Sequence, residues 1–175
     1  MDVFEAIAKR HSYRGGFSDQ RVCRDHLTRI VQAGIQAPSG CNAQTTSFVI
    51  VDDPGLLARI AAIVDRPVVR EARAMIVCVA EHRVVYQDKS FAVEDCAAAV
   101  ENMLLAITAM GYATVWLDGV LRSDGKAKKI GDLLGVPDGR EVRVLLPLGV
   151  PKEDGQQRER LPFSTRAGFN KYEGG

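Results

Sequence analysis

Neither of the two commonest glycine-rich phosphate loops occurs in this sequence: no G-x-G-x-x-G follows a strand, and no G-x-x-x-x-G-K-[ST] is present. A phosphate-bearing ligand would have to be held by side chains. Cys23, Cys41, Cys78 and Cys96 form no C-x-x-C pair and have no histidine at metal-ligand spacing. This argues against a zinc or iron–sulfur site and against a disulfide framework, so no metal is expected. Long apolar runs are also missing. The longest, Ala74 to Ala80, has the length of a buried strand and falls far short of a membrane span. Lys+Arg (23) and Asp+Glu (22) nearly cancel to a formal +1. No broad field therefore exists to attract nucleic acid or an anionic membrane, and neither is expected as a partner. Met1 to Lys9 alternates charge with apolar residues and lacks the apolar core and small-residue cleavage site of a signal peptide, which predicts a cytoplasmic protein.

What is present suits one ordinary globular domain spanning 1–175, with 46% hydrophobic and 26% charged residues. Asp2 is a candidate cap for a short amphipathic helix through Arg10, with Val3, Phe4 and Ile7 on one stripe. Leu27, Ile30, Val31, Gly34 and Ile35 mark a second helix that Pro38 stops. Ser47 to Val51 reads as a strand, and Asp53-Pro54 starts the helix through Val64. Ala74 to Ala80 is a second strand. A broad apolar face on Phe91 to Met110 predicts the longest helix, wide enough to serve both the core and a partner, with Gly111 as its stop. Tyr112 to Leu117, a helix from a Ser123 cap to Leu134, and the strand Val142 to Leu148 follow. These elements do not alternate as a doubly wound sheet requires, so an α+β domain is expected.

Arg10, Ser12 and Arg14 are spaced by two at the exit of the first helix, so in extended backbone they point to one side. Two forked guanidinium groups with a hydroxyl between them suit a phosphate dianion. In isolation a basic helix end in solvent is the better explanation of the same residues. Arg158 and Arg160 repeat the spacing far downstream, where two such clusters could close on one phosphate from opposite sides in a folded dimer. The loop from Ala37 to Gln44 combines amide, hydroxyl and exposed backbone donors, the mixture that holds a heteroaromatic ring, or else a plain turn. His11, His26 and His82 have no visible catalytic partner, Cys41 reads as a small neutral filler, and Trp116 as core packing.

Taken together, Arg10-His11-Ser12-Tyr13-Arg14, Pro38-Ser39-Gly40-Cys41-Asn42-Ala43-Gln44, the stretch from Asp95 to Gly119 with Trp116, and Arg158 to Pro162 resemble the nitroreductase family of FMN enzymes, in order and spacing across essentially the whole chain. The resemblance implies a nitroreductase-like α+β fold with a central mixed sheet flanked by helices, in a homodimer with FMN at the subunit interface. It implies that Arg10, Ser12 and Arg14 bind the phosphate and ribityl side, joined by Arg158 and Arg160, with His11 contributing through its backbone. Pro38, Ser39 and Gly40 would reach the flavin from the partner subunit, and Asn42 would orient the loop or touch the ring edge. Leu117, Asp118 and Gly119 would lie along the reactive edge, where a backbone N–H can address N5. The helix from Phe91 to Met110 would form the dimer core.

The implied activity passes electrons from NADH or NADPH through the flavin to an electron-poor small molecule such as a nitroaromatic or quinone. No side chain is assigned a catalytic role, because flavin N5 is the reactive centre. Dehalogenation, dehydrogenation, or flavin binding without turnover, as in a carrier or sensor, remain open. Thr45-Thr46 stands where the family usually has Pro-Trp, Asp65 where many members place an Asn near the ring, and the link from Glu81 to Ser90 is short, which implies an open pocket.

Overall fold

The computed structural model describes Met1 to Tyr172. In chain order its helices are α1 (Val3–Lys9), α2 (Arg24–Ile35), α3 (Pro54–Val64), α4 (Pro67–Arg70), α5 (Ala92–Ala109), α6 (Lys126–Leu134) and α7 (Phe163–Arg166). The strands are β1 (Thr46–Val51), β2 (Ala74–Glu81), β3 (Ala113–Thr114) and β4 (Arg140–Gly149), ordered β1-β2-β4-β3 in one sheet. The α+β expectation holds, but the mixed sheet does not. Every pairing among the described residues is antiparallel.

The apolar run of β2 takes its meaning from its central place. Met75, Val77 and Val79 pack on one face of the sheet with α3, α4 and α6, while Ala74, Ile76 and Cys78 pack on the other with α2 and α5. A strand buried on both faces needs no polar alternation. Between Cys78 and Val79 the register to β4 slips, so that Cys78 opposes Val144 and Val79 opposes Val142, leaving Arg143 as the extra residue of a bulge. Val142 and Val144 consequently serve opposite faces of the sheet.

Local chemistry sets most boundaries. Asp2 and Glu5 form a reciprocal capping box on α1, with bonds of 2.9 and 3.0 Å. Asp53 accepts from the Leu56 N–H at 2.8 Å, with Pro54 opening α3. After α5, Tyr112 N–H donates to the Ile107 carbonyl and Gly111 N–H to that of Thr108, closing the helix where its glycine stop was expected.

Two expectations are corrected. The strand over Tyr112 to Leu117 pairs continuously only at Ala113–Thr114, because the chain leaves the ladder and returns for one bridge between Leu117 and Leu145. Ser123 does not cap α6, whose first turn starts after Gly125. The polar tail beyond Gly149 contains α7. The broad face of α5 serves the core as expected: Cys96, Ala99, Val100, Met103, Leu104 and Ile107 are buried within this chain, against α2 and the sheet.

Candidate functional site

α1 ends at Arg10, whose backbone turns extended (φ −58°, ψ 125°) and starts a segment running beside the sheet. Tyr13 anchors it. Its N–H donates to the Thr114 carbonyl at 2.9 Å, its buried ring packs on Phe17, and its hydroxyl donates to the Gly16 carbonyl at 2.7 Å. With Tyr13 directed inward, the alternation of extended backbone leaves Ser12 and Arg14 exposed.

The tail leaves β4 along the same segment. Phe17 bridges Pro151, Ser18 N–H donates to the Val150 carbonyl, and Lys152 N–H to the Gly16 carbonyl. It then crosses the end of α1, where the Gln157 amide donates to the carbonyls of Arg10 at 2.8 Å and Ile7 at 3.2 Å. Between segment and tail lies a cavity of about 440 Å³ lined by Arg10, His11, Ser12, Arg14, Gln156, Gln157, Arg158 and Arg160. The two arginine clusters of the sequence thus meet within one chain.

The charge balance of this cavity is one-sided. Among the described residues its lining holds four arginines and no carboxylate. Arg10 lies 3.8 Å from Glu101, while Arg14, Arg158 and Arg160 make no ion pair among the described residues. The buried His11 Nε2 has no hydrogen-bond partner among the described residues, its Nδ1 being joined to the Lys9 carbonyl at 2.9 Å. Gln156 and Gln157 escaped sequence reasoning. Their amides follow no spacing rule, and their only signal was their position immediately before Arg158.

Pro38, Ser39, Gly40 and Asn42 do not line this cavity. Their loop carries one 3-10 turn, Gly40–Asn42, with Cys41, Asn42 and Gln44 all at positive φ (52°, 53° and 51°). Such backbone in non-glycine residues persists only where its surroundings over-determine it. Asp95 supplies that restraint: its nearly buried carboxylate accepts from Gly40 N–H at 2.8 Å and from the Thr45 hydroxyl at 2.6 Å. The threonine that departs from the family pattern is therefore a strut of the loop. Ser39 Oγ adds a bond from Gln44 N–H at 3.1 Å, and any side chain at Gly40 would strike the Phe91 ring. Pro38 and Ser39 line a separate cleft of about 60 Å³, beside the buried hydroxyl of Thr46, which has no hydrogen-bond partner among the described residues.

Leu117, Asp118 and Gly119 also lie outside the arginine cavity. Leu117 N–H is committed to the Leu145 carbonyl at 3.1 Å, so it has no free donor to offer N5. The N–H groups of Asp118 and Gly119 have no partner among the described residues. The Asp118 carboxylate receives both forks of Arg122, at 2.6 and 2.7 Å, with the bulged Arg143 at 3.6 Å. That hydrogen bond holds the Arg122 guanidinium above its ordinary value. Asp65 ends α3 in left-handed backbone (φ 47°), ion-paired with Arg70. Cys23 and Cys41 are exposed and free, whereas Cys78 and Cys96 are buried side by side. The hydrogen bond with Cys96, followed by burial, holds the Cys78 thiol well above its ordinary value.

A model of the nitroreductase family matches residues 7–83 and 64–150. A protein of Archaeoglobus fulgidus, named for NADH dehydrogenase and NAD(P)H nitroreductase activity, is 32% identical over 154 residues, which is 87% of this chain and 87% of that one. A crystal structure from Desulfovibrio desulfuricans, described as a nitroreductase in complex with FMN, shares 29% identity and a TM-score of 0.78 over 92% of both chains. The NADPH:FMN oxidoreductase of Vibrio harveyi complexed with NAD+ gives a TM-score of 0.82 at 25% identity, over 97% of this chain and 77% of that one. Because the family model runs from the end of α1 through β4 and the archaeal relative is 32% identical over 87% of this chain, this chain belongs to the nitroreductase family.

Proposed function

We propose that the chain is an FMN-dependent NAD(P)H oxidoreductase, taking electrons from NADH or NADPH and passing them to an electron-poor small molecule such as a nitroaromatic or quinone. The observation that carries this reading is the cavity whose lining, among the described residues, holds four arginines and no carboxylate. Three of those guanidinium groups lack an ion-pair partner among the described residues, the arrangement that fits a phosphate dianion. Bound FMN supplies hydride and electron transfer, chemistry that no side chain offers.

The protein's own residues anchor and orient. Arg10, Arg14, Arg158 and Arg160 neutralise the phosphate through planar forked donors, and Ser12 Oγ fills the gap between them. The fixed Tyr13 holds Ser12 and Arg14 in register. His11 serves through its backbone and its packing. Pro38, Ser39, Gly40 and Asn42 come to the ring from the partner subunit of a homodimer, on a loop that Asp95 keeps rigid. The free N–H groups of Asp118 and Gly119 face the reactive edge, while Leu117 contributes its side chain there.

Support for the homodimer lies elsewhere than on the α5 core face. α1 packs on α5, and Val3, Phe4, Ile7 and Val93 on those two helices stay exposed, Phe4 by 79%. Leu161, Phe163 and Phe169 extend the apolar surface into the tail. The whole chain, 1–175, reads as one FMN-binding domain. Among the described residues no helix is long and apolar enough to cross a membrane, and four free thiols suit the reducing cytoplasm.

Stopped-flow mixing of the FMN-loaded protein with NADH and with NADPH tests the activity. Rapid bleaching of the flavin band by at least one donor is the expected result. Indifference to both would leave a flavin carrier or sensor and defeat the enzyme reading.

A further inference from the structure

Gln157 makes the contact that fastens the tail to α1, although neither the spacing of the arginines nor the family resemblance assigns it a role. Its amide nitrogen has two hydrogens and meets two carbonyl oxygens, those of Arg10 at 2.8 Å and Ile7 at 3.2 Å. Both belong to the C-terminal end of α1, where helix carbonyls have no intrahelical partner. One acceptor is the backbone of Arg10 itself, and the next residue after the donor is Arg158. The bond therefore fixes the two arginine clusters relative to each other.

Two positions earlier, Gly155 lies so close to the His11 ring that any β-carbon would collide with Nε2. That ring cannot readily retreat, because Nδ1 is joined to the Lys9 carbonyl and the ring packs edge-on to Tyr13 at 6.2 Å. Glycine at 155 and glutamine at 157 thus dock the tail by contact and by hydrogen bond on the same helix end. Gln157 also covers two carbonyl oxygens beside the cavity, whose partial negative charge would otherwise oppose an anion there.

We propose that Gln157, together with the close approach of Gly155 to His11, is the positioning element that sets Arg158 and Arg160 against Arg10 and Arg14 and so makes the site select phosphorylated over unphosphorylated flavin. This rests on the FMN reading above. Gln157 and Gly155 act through the arginines, and the unphosphorylated ring of riboflavin is indifferent to both.

The test titrates apo-protein with FMN and with riboflavin by flavin fluorescence, and records the thermal midpoint of each variant. Gln157→Met keeps the side-chain length but has no donor. It should raise the FMN dissociation constant about tenfold, leave riboflavin and the thermal midpoint unchanged, and speed tryptic cleavage after Arg158. Gly155→Ala should lose FMN affinity similarly, and adding His11→Ala should restore most of it by removing the ring that the new methyl meets. A wild-type ratio of FMN to riboflavin affinity in Gln157→Met, or equal loss of both flavins, overturns the proposal. If the wild-type protein itself shows no preference for FMN over riboflavin, the phosphate reading falls and this inference falls with it.

Discussion

A guanidinium group does not shed its proton, so four arginines around one cavity repel one another at every pH the protein meets. The fold tolerates that cost because each side chain reaches solvent and because an anion relieves it. Arg14 is the most direct probe, being exposed and without an ion-pair partner among the described residues. Arg14→Ala should weaken FMN binding by about 2–3 kcal/mol, and Arg14→Lys, which keeps the charge but loses the fork, should fall in between. Riboflavin should bind all three proteins equally, and wild-type FMN affinity in the alanine variant would reduce Arg14 to a solvated loop residue. At this scale the arginines were legible, since the two-residue spacing already placed them on one side of extended backbone. Gln157 and Asp95 were not, because each acts on backbone groups brought near only by the fold.

Among the elements, α1, α3, β2 and α5 followed from caps and periodicity, because the signals that set them are local. The short pairing of β3 was illegible: Tyr112 to Leu117 has the composition of a strand, yet Thr114 spends its carbonyl on Tyr13 and Leu117 pairs separately with Leu145. The face of α5 was read as apolar and wide enough for both core and partner; its core share is seen in the buried residues from Cys96 to Ile107, whereas a pattern alone cannot divide a face between a neighbour in the same chain and one in another. The loop from Pro38 to Gln44 shows how elements constrain one another. Its Gly40 sits against Phe91 at the start of α5, so Gly40→Ala should destabilise the protein by about 1–3 kcal/mol through overpacking. Chemical denaturation should show the loss. An unchanged midpoint would mean that the ring moves aside freely and that the loop is not pinned as described.

At the scale of the whole molecule, the antiparallel sheet brings the chain's beginning and its tail to one place, since β3 and β4 lie beside the segment from Tyr13 to Ser18. On the FMN reading, the arginine cavity that would take the phosphate is formed within one chain, whereas the loop at Pro38 and the edge at Asp118 lie outside that cavity. A second copy is the natural source of the missing side, and exposed Phe4, Ile7 and Val93 offer it a surface. Sedimentation should find twice the mass of the chain, and a stable monomer that retains FMN would place the entire site within one subunit. The central claim is that the arginine cavity exists to hold the phosphate of FMN, and the flavin content of the purified protein tests it most directly. Heat-released supernatant, resolved by chromatography and read by fluorescence, should contain FMN at close to one molecule per chain. Recovery of FAD instead, or of no flavin even after incubation with FMN, would contradict the account.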